Sequence, residues 1–176
     1  KFPFLSANVR YKNGKYLVKP YTIIQRGGLK FAVVGLTTED TAKLGNPEYL
    51  GNVTFQPVIE AAREILPTIN KAQPDVRIAL THIGYYNNGQ HGHNAPGDVT
   101  LARSLPAKSF DMIIGGHSHT PVCINEDGSL ETPYVPNTPC QPDVQNGMPI
   151  MQAYEWGKFL GRADFEFKNG VTKLVR

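Results

Sequence analysis

No stretch of this 176-residue sequence is apolar for long enough to cross a bilayer: runs such as Phe31–Leu36 fall far short of the roughly 20 residues a membrane helix requires. A surplus of one charge is missing too. Eighteen Lys and Arg against fifteen Asp and Glu leave +3, and the positive residues are spread along the chain rather than gathered in a stripe. That pattern argues against a nucleic-acid polymer or a membrane surface as partner. There is no charge block, no low-complexity tract and no internal repeat, so neither a disordered chain nor a solenoid is expected. Cysteine is scarce as well. The two present, Cys123 and Cys140, bracket a segment rich in proline and turn residues, and neither belongs to a Cys-x-x-Cys pair, which makes a cysteine zinc site the weakest reading. A local disulfide and two unrelated thiols both remain open on the residues alone.

What is present is ordinary globular material, 40% hydrophobic and 19% charged. One domain of this length buries roughly 70% of the surface its unfolded chain exposes. The sequence opens on Lys1, without methionine, inside a strand-like phrase (Phe4–Val9), as expected of a piece of a longer chain.

Residues 4–9 and 15–24 read as strands joined at Asn13-Gly14, a strong hairpin signal. Lys30–Thr37 is a short apolar, β-branched run of the buried-strand kind. Phe55, Val58, Ile59, Ala62, Ile65, Leu66 and Ile69 recur at helical spacing, with Thr54 placed to cap, Pro57 tolerable in the first turn, and Pro67 expected to kink or end the helix. Asp75–Thr81 is a second strand, Asp98–Ser104 a short helix, and Phe110–Ile114 a third strand. Strand, helix, strand, helix, strand predicts parallel βαβ units. Beyond residue 120, Met148–Tyr154, Phe159–Phe167 and Val171–Val175 alternate like antiparallel strands, the last two joined at Asn169-Gly170. The fold class is α/β with an antiparallel portion.

Two of the parallel strands run into histidines: Leu80-Thr81-His82-Ile83-Gly84 and Ile114-Gly115-Gly116-His117-Ser118-His119-Thr120. The carboxyl ends of strands in an open α/β sheet are where functional crevices form. Paired glycines let the backbone turn sharply, and His-x-His can offer two imidazoles to neighbouring ions. A lone histidine after a strand, such as His82, is more often hydrogen-bonded than ligating. The Gly-Gly-His-Ser-His loop has few structural reasons to exist, and together with it His82 becomes a candidate ligand. His91 and His93 repeat the His-x-His pattern without a preceding strand and read as a solvated loop near the mouth of the site. Asp98 reads first as a helix cap.

Thr81-His82-Ile83-Gly84, Gly115–Thr120, the Asn88–Asp98 loop, the stretch Gly35–Tyr49 and Glu155-Trp156-Gly157-Lys158 together resemble the bacterial periplasmic 5'-nucleotidase/UDP-sugar hydrolase family, within the calcineurin-like metallophosphoesterases. The likeness runs nearly end to end. It implies the C-terminal part of a four-layer α/β/β/α metallophosphatase domain occupying residues 1–176, two divalent ions (Zn, Mn or Co), and a nucleotide substrate. By motif, His82 and His117 would ligate one ion and His119 the other, while Cys123 and Cys140 would pair as a disulfide. A periplasmic or secreted location and a monomeric state follow from the same likeness.

The family's Asp-x-His and Asn-His-Glu motifs and its bridging aspartate are absent from these residues. The catalytic Asn-His dyad is therefore expected upstream of the chain and the nucleotide-binding domain downstream. Three imidazoles without a carboxylate would poorly offset two dications only about 3.5–4 Å apart. The chain alone is thus expected to bind at most one ion weakly and to be inactive. The alternatives are a non-catalytic disulfide-bonded binding module and another phosphoesterase of the superfamily, such as a 2',3'-cyclic phosphodiesterase or a sulfur-compound hydrolase.

Overall fold

The computed structural model describes residues 2–86 and 95–175. Among them the chain forms β1 (Val9–Tyr11), β2 (Tyr21–Arg26), β3 (Leu29–Thr37), α1 (Thr41–Leu44), α2 (Pro47–Leu50), β4 (Val53–Phe55), α3 (Val58–Lys71), β5 (Val76–His82), α4 (Asp98–Ser104), β6 (Met112–Ile114), β7 (Asp143–Gln145), β8 (Met148–Met151), β9 (Phe165–Lys168) and β10 (Val171–Leu174). A six-stranded sheet in the order β2-β3-β5-β6-β8-β7 is the frame, flanked by the two-stranded pairs β1-β4 and β9-β10. Strands β3, β5, β6 and β8 run parallel; β2 and β7 are antiparallel edges.

Helices α3 and α4 cover one face of this sheet. Ala32, Val34 and Leu36 of β3, Ala79 of β5, Ile113 of β6 and Ile150 of β8 alternate inward and meet the buried stripe Val58, Ala61, Ala62, Ile65, Leu66 and Ile69 of α3, with Val99, Leu101 and Ala102 of α4. Phe110 is fully buried among them. On the opposite face Leu80 and Ile114, partners in register, are 46% and 37% exposed. Gly35 lies on that face too. A Cβ there would run into the Leu5 backbone, so glycine lets the N-terminal segment lie directly against β3, where Ala7 N donates to Gly35 O at 2.8 Å.

Several expectations change in detail. The Asn13-Gly14 turn forms, with Tyr11 N donating to Lys15 O at 2.8 Å, yet its arms do not build a long hairpin. β1 pairs with β4 instead, and Pro20, which has no N–H to donate, separates the turn from β2, which pairs with β3. Pro67 neither ends nor shortens α3, which continues to Lys71. It lies on the solvent face, where the carbonyl it orphans can reach water, while Ile65, Leu66 and Ile69 hold the buried face down. Nor does Thr54 cap the helix. Pro57 is the N-cap residue, and the first free N–H, of Val58, donates to Glu39 Oε1 at 2.8 Å. At the far end, Met148–Met151 joins the main sheet in parallel beside β6 and pairs antiparallel with Asp143–Gln145, a strand the alternation pattern does not reveal. The Phe159–Phe167 strand shortens to Phe165–Lys168.

Candidate functional site

β5 and β6 are hydrogen-bonded neighbours, Leu80 opposite Ile114, so their carboxyl ends open on the same edge of the sheet. His82 is the last residue of β5, and His117 follows β6 by three residues. Their rings lie 5.2 Å apart between centroids, inclined at 65°. The close approach depends on Gly116, where a Cβ would stand 3.1 Å from His82 Nδ1. His117 and His119 both adopt left-handed backbone, φ 84° and 54°, a conformation uncommon for residues other than glycine and concentrated at functional sites. Burial, and next the charge of His119, lower the pKa of His82 from its ordinary value, favouring the neutral imidazole whose lone pair a metal ion needs.

His119 points to a different set of neighbours. Its Nδ1 is 3.2 Å from Glu155 Oε2, and its ring meets Trp156 edge-on at 5.4 Å. Ser118, between the two histidines, ties their loop down: its hydroxyl accepts from Tyr85 N at 2.9 Å and from Gln152 Nε2 at 3.1 Å. Gln152 Oε1 in turn accepts from Thr120 N at 2.9 Å. Gln152 is buried, and Tyr85 reaches on to Asp143 at 3.0 Å. None of these supporting residues carries a sequence signal of its own.

Asp98 departs most from its sequence reading. Gly97 is the N-cap residue of α4, and Asp98 is its first helical residue, fully buried and making no side-chain cap. Its Oδ1 accepts from Thr81 Oγ1 at 2.6 Å, its backbone N donates to Gly84 O at 2.8 Å, and Oδ2 has no hydrogen-bond partner among the described residues. A Cβ on Gly115 would fall on that Oδ2. The carboxyl therefore sits under both histidine-bearing strand ends at once. Burial pushes its pKa up to about 7, against the opposing pull of the Thr81 hydrogen bond.

The structure thus brings His82 and His117 together as a close pair, with His119 turned toward Glu155. His91 and His93 lie outside the described residues. Among the described residues no group of three or more His, Cys, Asp or Glu side chains is arranged to hold a metal ion. Imidazoles are donors of the kind that borderline divalent ions take. Cys123, four residues beyond His119, and Cys140 form the disulfide, Cα atoms 5.1 Å apart, within the excursion between β6 and β7.

Comparison with known proteins gives the family. Residues 2–121, which include the His82 and His117 loops, match the calcineurin-like phosphoesterase family, and the chain belongs to that family. It is 56% identical over 177 residues to protein UshA of Salmonella pullorum, covering 99% of this chain and 32% of that relative. It is 53% identical to the 5'-nucleotidase of Vibrio cholerae, again covering 99% of this chain and 32% of the relative. The chain therefore spans about a third of the length of these relatives. Among solved structures, the calcineurin-like phosphoesterase YfkN from Bacillus subtilis superposes with a TM-score of 0.77 at 28% identity, covering 99% of this chain and 53% of that one. The α/β architecture expected from the sequence is the one this neighbour shares. No described helix is long and apolar enough to cross a membrane.

Proposed function

We propose that the chain carries the histidine half of a two-metal phosphoester-hydrolysing site, and that the whole protein hydrolyses nucleoside 5'-monophosphates and UDP-sugars in the periplasm. The observation that carries this reading is the His82–His117 pair, held 5.2 Å apart at the ends of adjacent parallel strands. The names of the relatives support the substrate class, and the Cys123–Cys140 bridge supports an oxidising compartment. His82 and His117 would share one ion and His119 would serve the second.

When bound, such ions polarise phosphoryl oxygens and lower the pKa of a water poised to attack phosphorus. The residues of this chain have narrower tasks. His82 offers a neutral imidazole because burial disfavours its charged form. Gly116 leaves room for His117 to approach it. Ser118 and Gln152 fix the loop, so the ligands are ordered before an ion arrives and less entropy is lost on binding. The remaining ligands, including a carboxylate to bridge two dications, are assigned to residues outside this chain.

Calorimetric titration with Zn, Mn and Co tests the reading. The chain alone is expected to bind at most one ion weakly, His117→Ala to abolish that binding, and AMP to remain unhydrolysed. Restoring a segment that supplies the missing carboxylates should produce two tight sites. Hydrolysis of AMP by the chain alone, lost in His117→Ala, would overturn the half-site reading. Absence of binding in both forms would turn the histidines into structural residues of a binding module.

A further inference from the structure

The segment Tyr154–Lys158 is built in an unusual way. Tyr154 (φ 63°) and Trp156 (φ 48°) both adopt left-handed backbone, as does Gly157 (φ 72°). Two non-glycine residues of this kind within three positions are disfavoured and persist only where the surroundings impose them. The result of the contortion is specific. Glu155 has a side chain 12% exposed, and its carboxylate gathers three partners: Oε1 receives Lys158 Nζ at 2.5 Å, Oε2 stands 3.2 Å from His119 Nδ1, and the Tyr154 side chain hydrogen-bonds it as well. Trp156, on the outer side, is 79% exposed and lays its ring edge-to-face against His119. Lys158 completes the arrangement, its ammonium 5.0 Å from the Trp156 ring centroid and 5.2 Å from that of Tyr154.

An ordinary surface ion pair does not account for this. Such pairs contribute little to stability, too little to justify two left-handed residues held for their sake. A different role fits the geometry. A carboxylate on one ring nitrogen of a histidine keeps the proton on that nitrogen and leaves the lone pair on the other, and partners of this kind orient metal-binding imidazoles.

We infer that Glu155 is a positioning residue for His119: it holds the Nδ1–H tautomer and the ring orientation, so that Nε2 is the atom presented to a divalent cation. The metal-ligand role of His119 rests on the function proposed above; the tautomer assignment does not. Lys158 serves Glu155 by occupying the carboxylate oxygen that His119 does not use, and Trp156 limits rotation of the ring from its open side.

Long-range proton–nitrogen correlation spectra of the nitrogen-labelled chain test this directly, recorded without metal at a pH where the imidazoles are neutral, with His119 assigned by comparison with His119→Gln. The expected spectrum shows His119 as the Nδ1–H tautomer in the parent chain and in Glu155→Gln, whose amide oxygen still accepts. In Glu155→Ala the Nε2–H form should gain. In the chain extended to supply the missing carboxylates, zinc titration should show affinity of the second site falling about 10–100-fold in Glu155→Ala and largely restored in Glu155→Gln. An unchanged tautomer in Glu155→Ala overturns the inference whatever zinc does. If the extended chain binds no second zinc, the metal reading of His119 fails while the tautomer result still decides the role of Glu155. Circular dichroism of each variant separates a changed tautomer from a lost fold.

Discussion

The Thr81 hydroxyl lies 2.6 Å from Asp98 Oδ1 in the interior of the protein and only 3.3 Å from the Ile114 carbonyl. One side chain thus joins the end of the His82 strand to the end of the strand that leads to His117, through a carboxyl that burial keeps near its neutral form.

This carboxyl makes stability depend on pH with a defined sign. Its folded pKa is raised from 3.8 to about 7, so between those values the native state holds a proton that the unfolded state has released. Stability must then fall as pH rises through this window, by on the order of a few kcal/mol. Asp98→Asn, which keeps the shape and removes the charge, should match the parent near the lower end of the window and exceed it above the upper end. Urea unfolding at a series of pH values checks this. The lowered pKa of His82 contributes a slope of the opposite sign, but it is present in both proteins and cancels in the difference.

Gly115 and Gly116 should respond differently to alanine. At Gly115 the new methyl falls on the buried Asp98 Oδ2, which has nowhere to retreat, and the expected cost is about 1–3 kcal/mol, seen as a Tm several degrees lower. At Gly116 the methyl meets His82 Nδ1 at 3.1 Å, near the open edge of the sheet, where the ring can rotate away. Stability should change little there, while zinc affinity falls by at least tenfold because the His82–His117 pair is spread. Thermal unfolding and zinc calorimetry on the two variants should give opposite rankings.

Trp156 is the sole tryptophan of the chain, and it contacts His119. Its fluorescence should therefore drop when cobalt binds the chain, and the drop should vanish in His117→Ala. An undiminished response in that variant would place the cobalt elsewhere.

Replacing Cys123 and Cys140 together by serine should lower stability by about 3 kcal/mol, the loop-entropy scale for a bridge with a sequence separation of 17. The bridge begins four residues after His119 and next to Val122, whose N–H donates to Gln152 O, so the same titration should show weaker zinc binding as well.

Much of this was legible in the sequence because local rules and tertiary outcome coincide. The apolar run of β3, the helical stripe of α3, and the placement of His82 and His117 after parallel strands all follow from periodicity and turn residues. The failures are equally physical. Pro67 is harmless because it faces water, and its exposure is set by the packing of the whole helix. The cap of α3 comes from Glu39, nineteen residues before Val58, and no local pattern announces it. Asp98 obeys every local rule for a cap; only the arrival of Thr81 and Gly115 from two other segments makes it a buried carboxyl. Glu155 and Lys158 stand out in the sequence as part of the Glu155–Lys158 motif, but their bearing on His119 depends on left-handed backbone that the motif does not reveal.

The bond ladder between Leu80 and Ile114 has a consequence for how the histidine pair can vary. His82 is fixed to the last rung of β5, whereas His117 stands three residues beyond β6, so the reach between the rings is set by the interstrand spacing of about 4.8 Å together with the Gly115–Gly116 turn. Lengthening or exchanging that turn would carry one imidazole away from the other, while the strand keeps His82 where it is.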